Sequence, residues 1–172
     1  LGDFSKVIIN DNVNVVFNPE LFDKIIVSAG ENIIDRIITE KNADTLTISN
    51  TNSCNWVRDF NVPITVYLPA NNIENIEYNS IGNISCADTI RCDSIYVNVY
   101  EGAGTLDILV NSYLVHSAIH YGTADIKMRG LCTLSYVYSA GFGLIDNRDL
   151  QSYQVYVANK SSNDMYLHSI NT

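Results

Sequence analysis

The chain has 172 residues, 47% hydrophobic and 17% charged, enough to bury one sizeable core without relying on ion-pair networks. Its 10 basic and 19 acidic residues give a formal charge of −9 with no basic cluster, which argues against nucleic acid as a partner. No apolar run is long enough to cross a bilayer as a helix, so no membrane insertion by this domain is expected.

The chain opens Leu1-Gly2-Asp3, without Met or a basic, apolar leader, and reads as a mature chain whose targeting segment has been removed. Lys6–Ile9 and Val13–Phe17 are predicted strands flanking the polar turn Asn10-Asp11-Asn12. Lys24–Val27, ended by Gly30, and Thr45–Ile48 are further strands. Between them Glu31–Ile38 places apolar pairs at 33/34 and 37/38, the helical spacing, and predicts a short helix. Val62–Leu68, with prolines at its margins, is again a strand.

From residue 73 the chain repeats. Ile76, Ile95, Val115, Leu134 and Val155 are 19, 20, 19 and 21 residues apart. Gly82, Gly102, Gly122 and Gly141 follow at 20, 20 and 19, and Leu106, Ile126, Ile145 and Met165 at 20, 19 and 20. One period shared by three columns marks a stacked architecture. Within a repeat Ile95, Val97 and Val99 alternate with Tyr96, Asn98 and Tyr100, and period two means strand. The fold expected is all-β: one right-handed parallel β-helix (β-solenoid) domain over 1–172. Residues 1–72 form an N-terminal strand region or cap, and 73–172 form about five rungs of 19–21 residues.

Short motifs add a resemblance. Phe4-Ser5-Lys6-Val7 and Val13-Asn14-Val15 come first, then Glu31-Asn32-Ile33, Thr39-Glu40 and Leu46-Thr47-Ile48. Val66-Tyr67-Leu68-Pro69 and the glycine turns Glu101-Gly102-Ala103-Gly104 and Ser139-Ala140-Gly141-Phe142-Gly143 complete the set. Together they resemble the GIN-domain family, auto-transporter adhesin head domains found largely in Bacteroidetes. Ser80-Ile81-Gly82-Asn83 and Tyr121-Gly122-Thr123-Ala124 lack one glycine of the pattern, and Lys160-Ser161-Ser162-Asn163 has none. The resemblance implies export, a secreted or lipoprotein location in the cell envelope, and no catalytic residues.

Cys54, Cys86, Cys92 and Cys132 form no CxxC pair and read as small buried thiols; in an oxidising compartment Cys86–Cys92 is the nearest disulfide candidate. Asp107 and Asp125, nearly one rung apart, are the pair an enzyme would use, but turn-capping is the simpler role. His116 and His120 would suit zinc on a helix and lie too far apart on a strand. No cofactor or metal is expected. The outward positions read Glu77, Tyr96, His116, Ser135, Tyr156 and Ile81, Tyr100, His120, Ser139, Lys160 on successive rungs. Tyr96, Tyr100, His116 and His120 would then form an aromatic patch able to meet a glycan or a cell-surface protein. The leading expectation is a non-catalytic, extracytoplasmic adhesin-like domain. A self-assembling β-helix scaffold, hence a homo-oligomer, and a carbohydrate-active enzyme are the alternatives.

Overall fold

The computed structural model describes residues 3–52 and 62–170; Cys54 lies outside them. About 65% of the chain is strand. The chain enters with β1 (Lys6–Asp11) and β2 (Asn14–Asn18), whose residues alternate between buried and partly exposed, as period-two patterning requires. Then come β3 (Ile26–Ser28), β4 (Ile37–Asn42), β5 (Thr45–Asn50), β6 (Thr65–Pro69), β7 (Asn75–Ser80) and β8 (Ile84–Cys86). Four long strands follow, β9 (Ile90–Gly102), β10 (Thr105–Ile119), β11 (Asp125–Ser139) and β12 (Ile145–Asn159), and β13 (Met165–Ser169) is last.

These strands stack in parallel as two walls. One runs β6-β2-β8-β10-β11-β12-β13. The other runs β5-β1-β7-β9-β10-β11-β12. β10, β11 and β12 belong to both because each bends partway. Along β10, Leu106, Ile108, Val110 and Ser112 point inward, and then Val115, Ser117 and Ile119 do. The phase slips by one residue between 112 and 115, and that slip is the corner. The result is a parallel β-solenoid of about five turns.

Two strands break the parallel rule at the N-terminal end. β4 runs antiparallel on β5 and β3 antiparallel on β6, covering edges that would otherwise template another chain. The helix predicted over Glu31–Ile38 is reduced to a 3-10 turn, Ile34–Arg36. Ile37 and Ile38 instead open β4 opposite Asn50 and Ser49. Pairing with a neighbouring strand supplies more hydrogen bonds than two helical turns could, so tertiary context overrides the local spacing.

The column Leu106, Ile126, Ile145, Met165 is in register as predicted, and continues through Ile84 and Val15 to Val66. The other two columns need correction. Ile95 lies over Val115, Ser135 and Val155, whereas Leu134 pairs with Leu114 and is half-buried. Ile76 belongs to a different column, with Val97, Ser117, Val137 and Val157. Gly102 lies beside Ser80, while Gly82 abuts Gly104. In a strand a one-residue miscount moves a side chain to the opposite face. The rung length varies because residues are dropped in turns and regained elsewhere. Lys127 pairs with Asp146, 19 residues on, yet Arg129 pairs with Asp149, 20 on, so a bulge at Asn147-Arg148 restores the count.

The interior grows polar toward the C-terminal end: Ile48, Ile9, Tyr78, Val99, Ile119, Ser139 and Asn159 form one column. At the corner Cys92, Ser112, Cys132 and Ser152 alternate, with Cys132 Sγ 3.2 Å from Ser152 Oγ. Cys86, Cys92 and Cys132 are free thiols, with no Cys86–Cys92 bond, and burial pushes the Cys86 thiol up to about 11.

Candidate binding face

The outer side of the second wall gathers the predicted patch. Tyr96, His116, Tyr136 and Tyr156 occupy one row on β9 to β12. Tyr100 and His120 stack with centroids 4.6 Å apart and planes within 10°. Tyr96 and His116 meet at 5.8 Å and 47°. Three predicted members of these rows do not belong. Ser135 and Ser139 face the core, and Glu77 pairs with Asn98 rather than standing above Tyr96. Ile81 lies at a turn, its N–H donating to the Asp11 carbonyl. The same miscount by one hid Tyr136 and Tyr138, although Tyr136-Val137-Tyr138 alternates as visibly as Tyr96-Val97-Asn98 does.

With these corrections the face is larger than the sequence indicated. Tyr138 meets His120 at 5.3 Å, and Lys160 Nζ lies 5.7 Å from the Tyr138 centroid, within cation–π reach. Tyr136 and Tyr156 stack at 4.7 Å and 10°. His120 Nε2 stands 3.1 Å from Asn98 Oδ1, an acceptor, so the ring donates from Nε2.

Rung spacing explains the stacking. Parallel strands repeat at about 4.8 Å, close to ring-stacking distance, so rings on successive rungs take up one another's faces and turn their edges outward. A stack must end somewhere, and this one ends at Tyr156. The half of β12 that carries it pairs with β11 on one side and with no strand of the described residues on the other. Tyr156 is half exposed. Beside it a depression of about 460 Å³ is lined by His116, His120, Tyr136, Tyr138, Tyr156, Val157 and other residues of β11 and β12. Ala158 is what leaves room, occupying the row position where the rung above carries Tyr138.

Burial lowers the pKa of His116 below its ordinary 6.5, helped by His120, and burial also lowers that of His120. The folded state therefore binds fewer protons than the unfolded chain in the interval just below 6.5. Their contribution is complete above that value and lost as the pH falls toward the lowered folded values. The melting temperature should drop on acidification through this interval. A His116→Gln, His120→Gln double variant should flatten that slope in thermal melts across pH, and an unchanged slope would contradict the assignment.

The enzyme pair does not assemble. Asp107 pairs with Arg129 at 2.6 Å, and Asp125 Oδ1 accepts the Leu144 N–H at 2.7 Å as a turn cap.

A family model described as "Putative auto-transporter adhesin, head GIN domain" matches residues 3–172. The chain belongs to the GIN-domain adhesin family. Among solved structures, this GIN domain is similar to a "putative adhesin" from Bacteroides fragilis NCTC 9343. That match has a TM-score of 0.80 and 18% identity, covering 96% of this chain and 75% of that one. A "putative lipid binding protein" from Parabacteroides distasonis ATCC 8503 matches at TM-score 0.60 and 11% identity, over 100% of this chain and 92% of that one. A "putative adhesin" from the same organism matches at TM-score 0.53 and 11% identity, with the same coverage. At such identities the likeness is one of fold. No curated protein matches the chain. The family is adhesin-like, and the descriptions of these neighbours name adhesins or lipid binding and no catalytic activity.

Proposed function

We propose that this GIN domain is a non-catalytic, extracytoplasmic binding module that takes a glycan on its aromatic face. The single observation that carries this is the open end of the ring ladder at Tyr156. There a sugar ring can occupy the position the next rung's ring would hold, stacking its apolar C–H face on the phenol. Lys160 and the tyrosine hydroxyls around the depression supply hydrogen bonds to the sugar's edge. Tyr96, Tyr100, His116 and His120 belong to the same face and hold the ladder rigid, so little side-chain entropy is lost on binding. The adhesin family supports surface recognition and an extracellular or envelope location. Recognition by a cell-surface protein is the competing occupant. A head-to-tail scaffold is disfavoured by the antiparallel β3 and β4, which cover much of the N-terminal edge of the two walls among the described residues.

A glycan array followed by titration calorimetry tests this. A Tyr136→Ala, Tyr156→Ala double variant should stay folded and bind the array's best ligand at least tenfold more weakly, a single ring stack being worth about 1 kcal/mol or more. The Tyr96→Ala, Tyr100→Ala variant should weaken it less. Undiminished binding by the first variant, or release of reducing sugar from the ligand, would overturn the reading.

A further inference from the structure

On a different part of the surface, a cleft of about 680 Å³ opens at the turns joining the two walls. Its volume lies within the range of small-molecule sites, roughly 300–1,000 Å³. Asp11, Asn12, Asn79, Ile81, Glu101 and Thr123 are among its lining residues. The register arranges them. Asn79 of β7 pairs with Asn10 of β1 on one side and Glu101 of β9 on the other. Asn10, Asn79 and Glu101 therefore form one column, and Asp11, next along β1 from Asn10, stands two rungs from Glu101, roughly 10 Å along the stack.

The hydrogen bonds inside the cleft leave ligand-binding capacity over. Asp11 Oδ2 accepts the Asn50 N–H, and Asn12 Oδ1 accepts from the Asn50 amide. Asn79 donates to Asn10 Oδ1. Among the described residues the other Asp11 oxygen, the Asn12 NH2 group, the Asn79 carbonyl oxygen and the Glu101 carboxylate have no protein partner. Acceptors and donors thus alternate along the opening, and exposed Ile81 adds an apolar surface.

We infer that this cleft is a second ligand site, specific for a neutral saccharide. Hydroxyl pairs on a sugar donate to a carboxylate and accept from an amide, the combination presented here. Two carboxylates repel uronic acids, sialic acids and phosphates. Among the described residues no group of three or more His, Cys, Asp or Glu side chains gathers to hold a metal ion, which disfavours the cation alternative. One pyranose ring with a hydrogen bond at each rim spans the opening. The site stands apart from the Tyr156 ladder and does not depend on the proposal made for it.

The test is a 1H–15N NMR titration of the folded domain with D-glucose, D-galactose, D-mannose, L-fucose and N-acetyl-D-glucosamine, beside glucuronate, galacturonate and calcium chloride. At least one neutral sugar should shift the Asn12 and Asn79 side-chain amides and the backbone amides of Gly102 and Thr123 saturably. Uronates and calcium should not. Asn12→Ala and Glu101→Ala should each weaken the response about tenfold, the effect of one lost polar contact. Glu101→Gln serves as the milder check. Tyr136→Ala, Tyr156→Ala should leave the cleft titration unchanged, so the two sites fail independently. No saturable shift with any neutral sugar, shifts confined to the Tyr156 face, or equal binding of uronates or calcium would overturn the inference.

Discussion

Replacing Val115 by aspartate is expected to leave the chain largely unfolded at physiological temperature. Val115 is fully buried in the column with Ile95, Ser135 and Val155. The substitution forfeits the burial of an aliphatic side chain, about 1.5–3 kcal/mol. It also places a carboxylate in a fully buried column between Ile95 and Ser135; after relaxation an unpaired buried charge still costs several kcal/mol. Against a typical total stability of about 5–15 kcal/mol, the sum removes most of the margin. Val115→Ala should cost only roughly 2 kcal/mol, the transfer of two methylenes plus a small cavity. Denaturant melts of both variants decide it. An aspartate variant with the parent's midpoint would mean that position 115 does not face the core.

Gly104→Ala should also be strongly destabilising. A Cβ at position 104 would lie 2.1 Å from the Gly82 carbonyl oxygen and 2.1 Å from the Tyr78 hydroxyl. Tyr78 is completely buried, donates its hydroxyl to the Gly82 carbonyl, and has its pKa pushed up to about 12 by burial. Tyrosine can occupy the core column only because the turn beside it has no side chain at 104. Overpacking against the backbone should cost roughly 3 kcal/mol. Tyr78→Phe alone should cost about 1 kcal/mol, since the Gly82 carbonyl loses a donor. The pair should be less destabilising than the sum of the singles, because removing the hydroxyl makes room for part of the new methyl. Strict additivity in a double-mutant cycle would show that the two groups do not touch.

The ladder at Tyr156 and the cleft at Glu101 were unequally visible beforehand. Tyr96, Tyr100, His116 and His120 could be paired from spacing alone because the rungs between β9 and β10 keep a constant 20-residue step. Tyr136 and Tyr138 were not assigned to the face because Leu134 was taken as the inward residue of that rung. The cleft left no mark in the sequence. Asp11 and Glu101 are far apart along the chain and line one cleft only because β1 stacks on β7 and β7 on β9.

Period-two alternation and a recurrence near 20 are chemical properties of the chain, and they sufficed to specify strands and parallel stacking, while the family rested on the resemblance of its short motifs. They did so because each inward column must be apolar wherever it appears, which writes the architecture into composition at fixed intervals. Three features required the folded structure: which residues stand directly over one another, where the rings stop, and how the first strands join the stack. Side-chain facing depends on the parity of every turn and bulge between two positions, and a single dropped residue at 140–144 or a gained one at Asn147-Arg148 reverses it. Parity is set by hydrogen-bond pairing between rungs, and pairing is a property of the assembled solenoid.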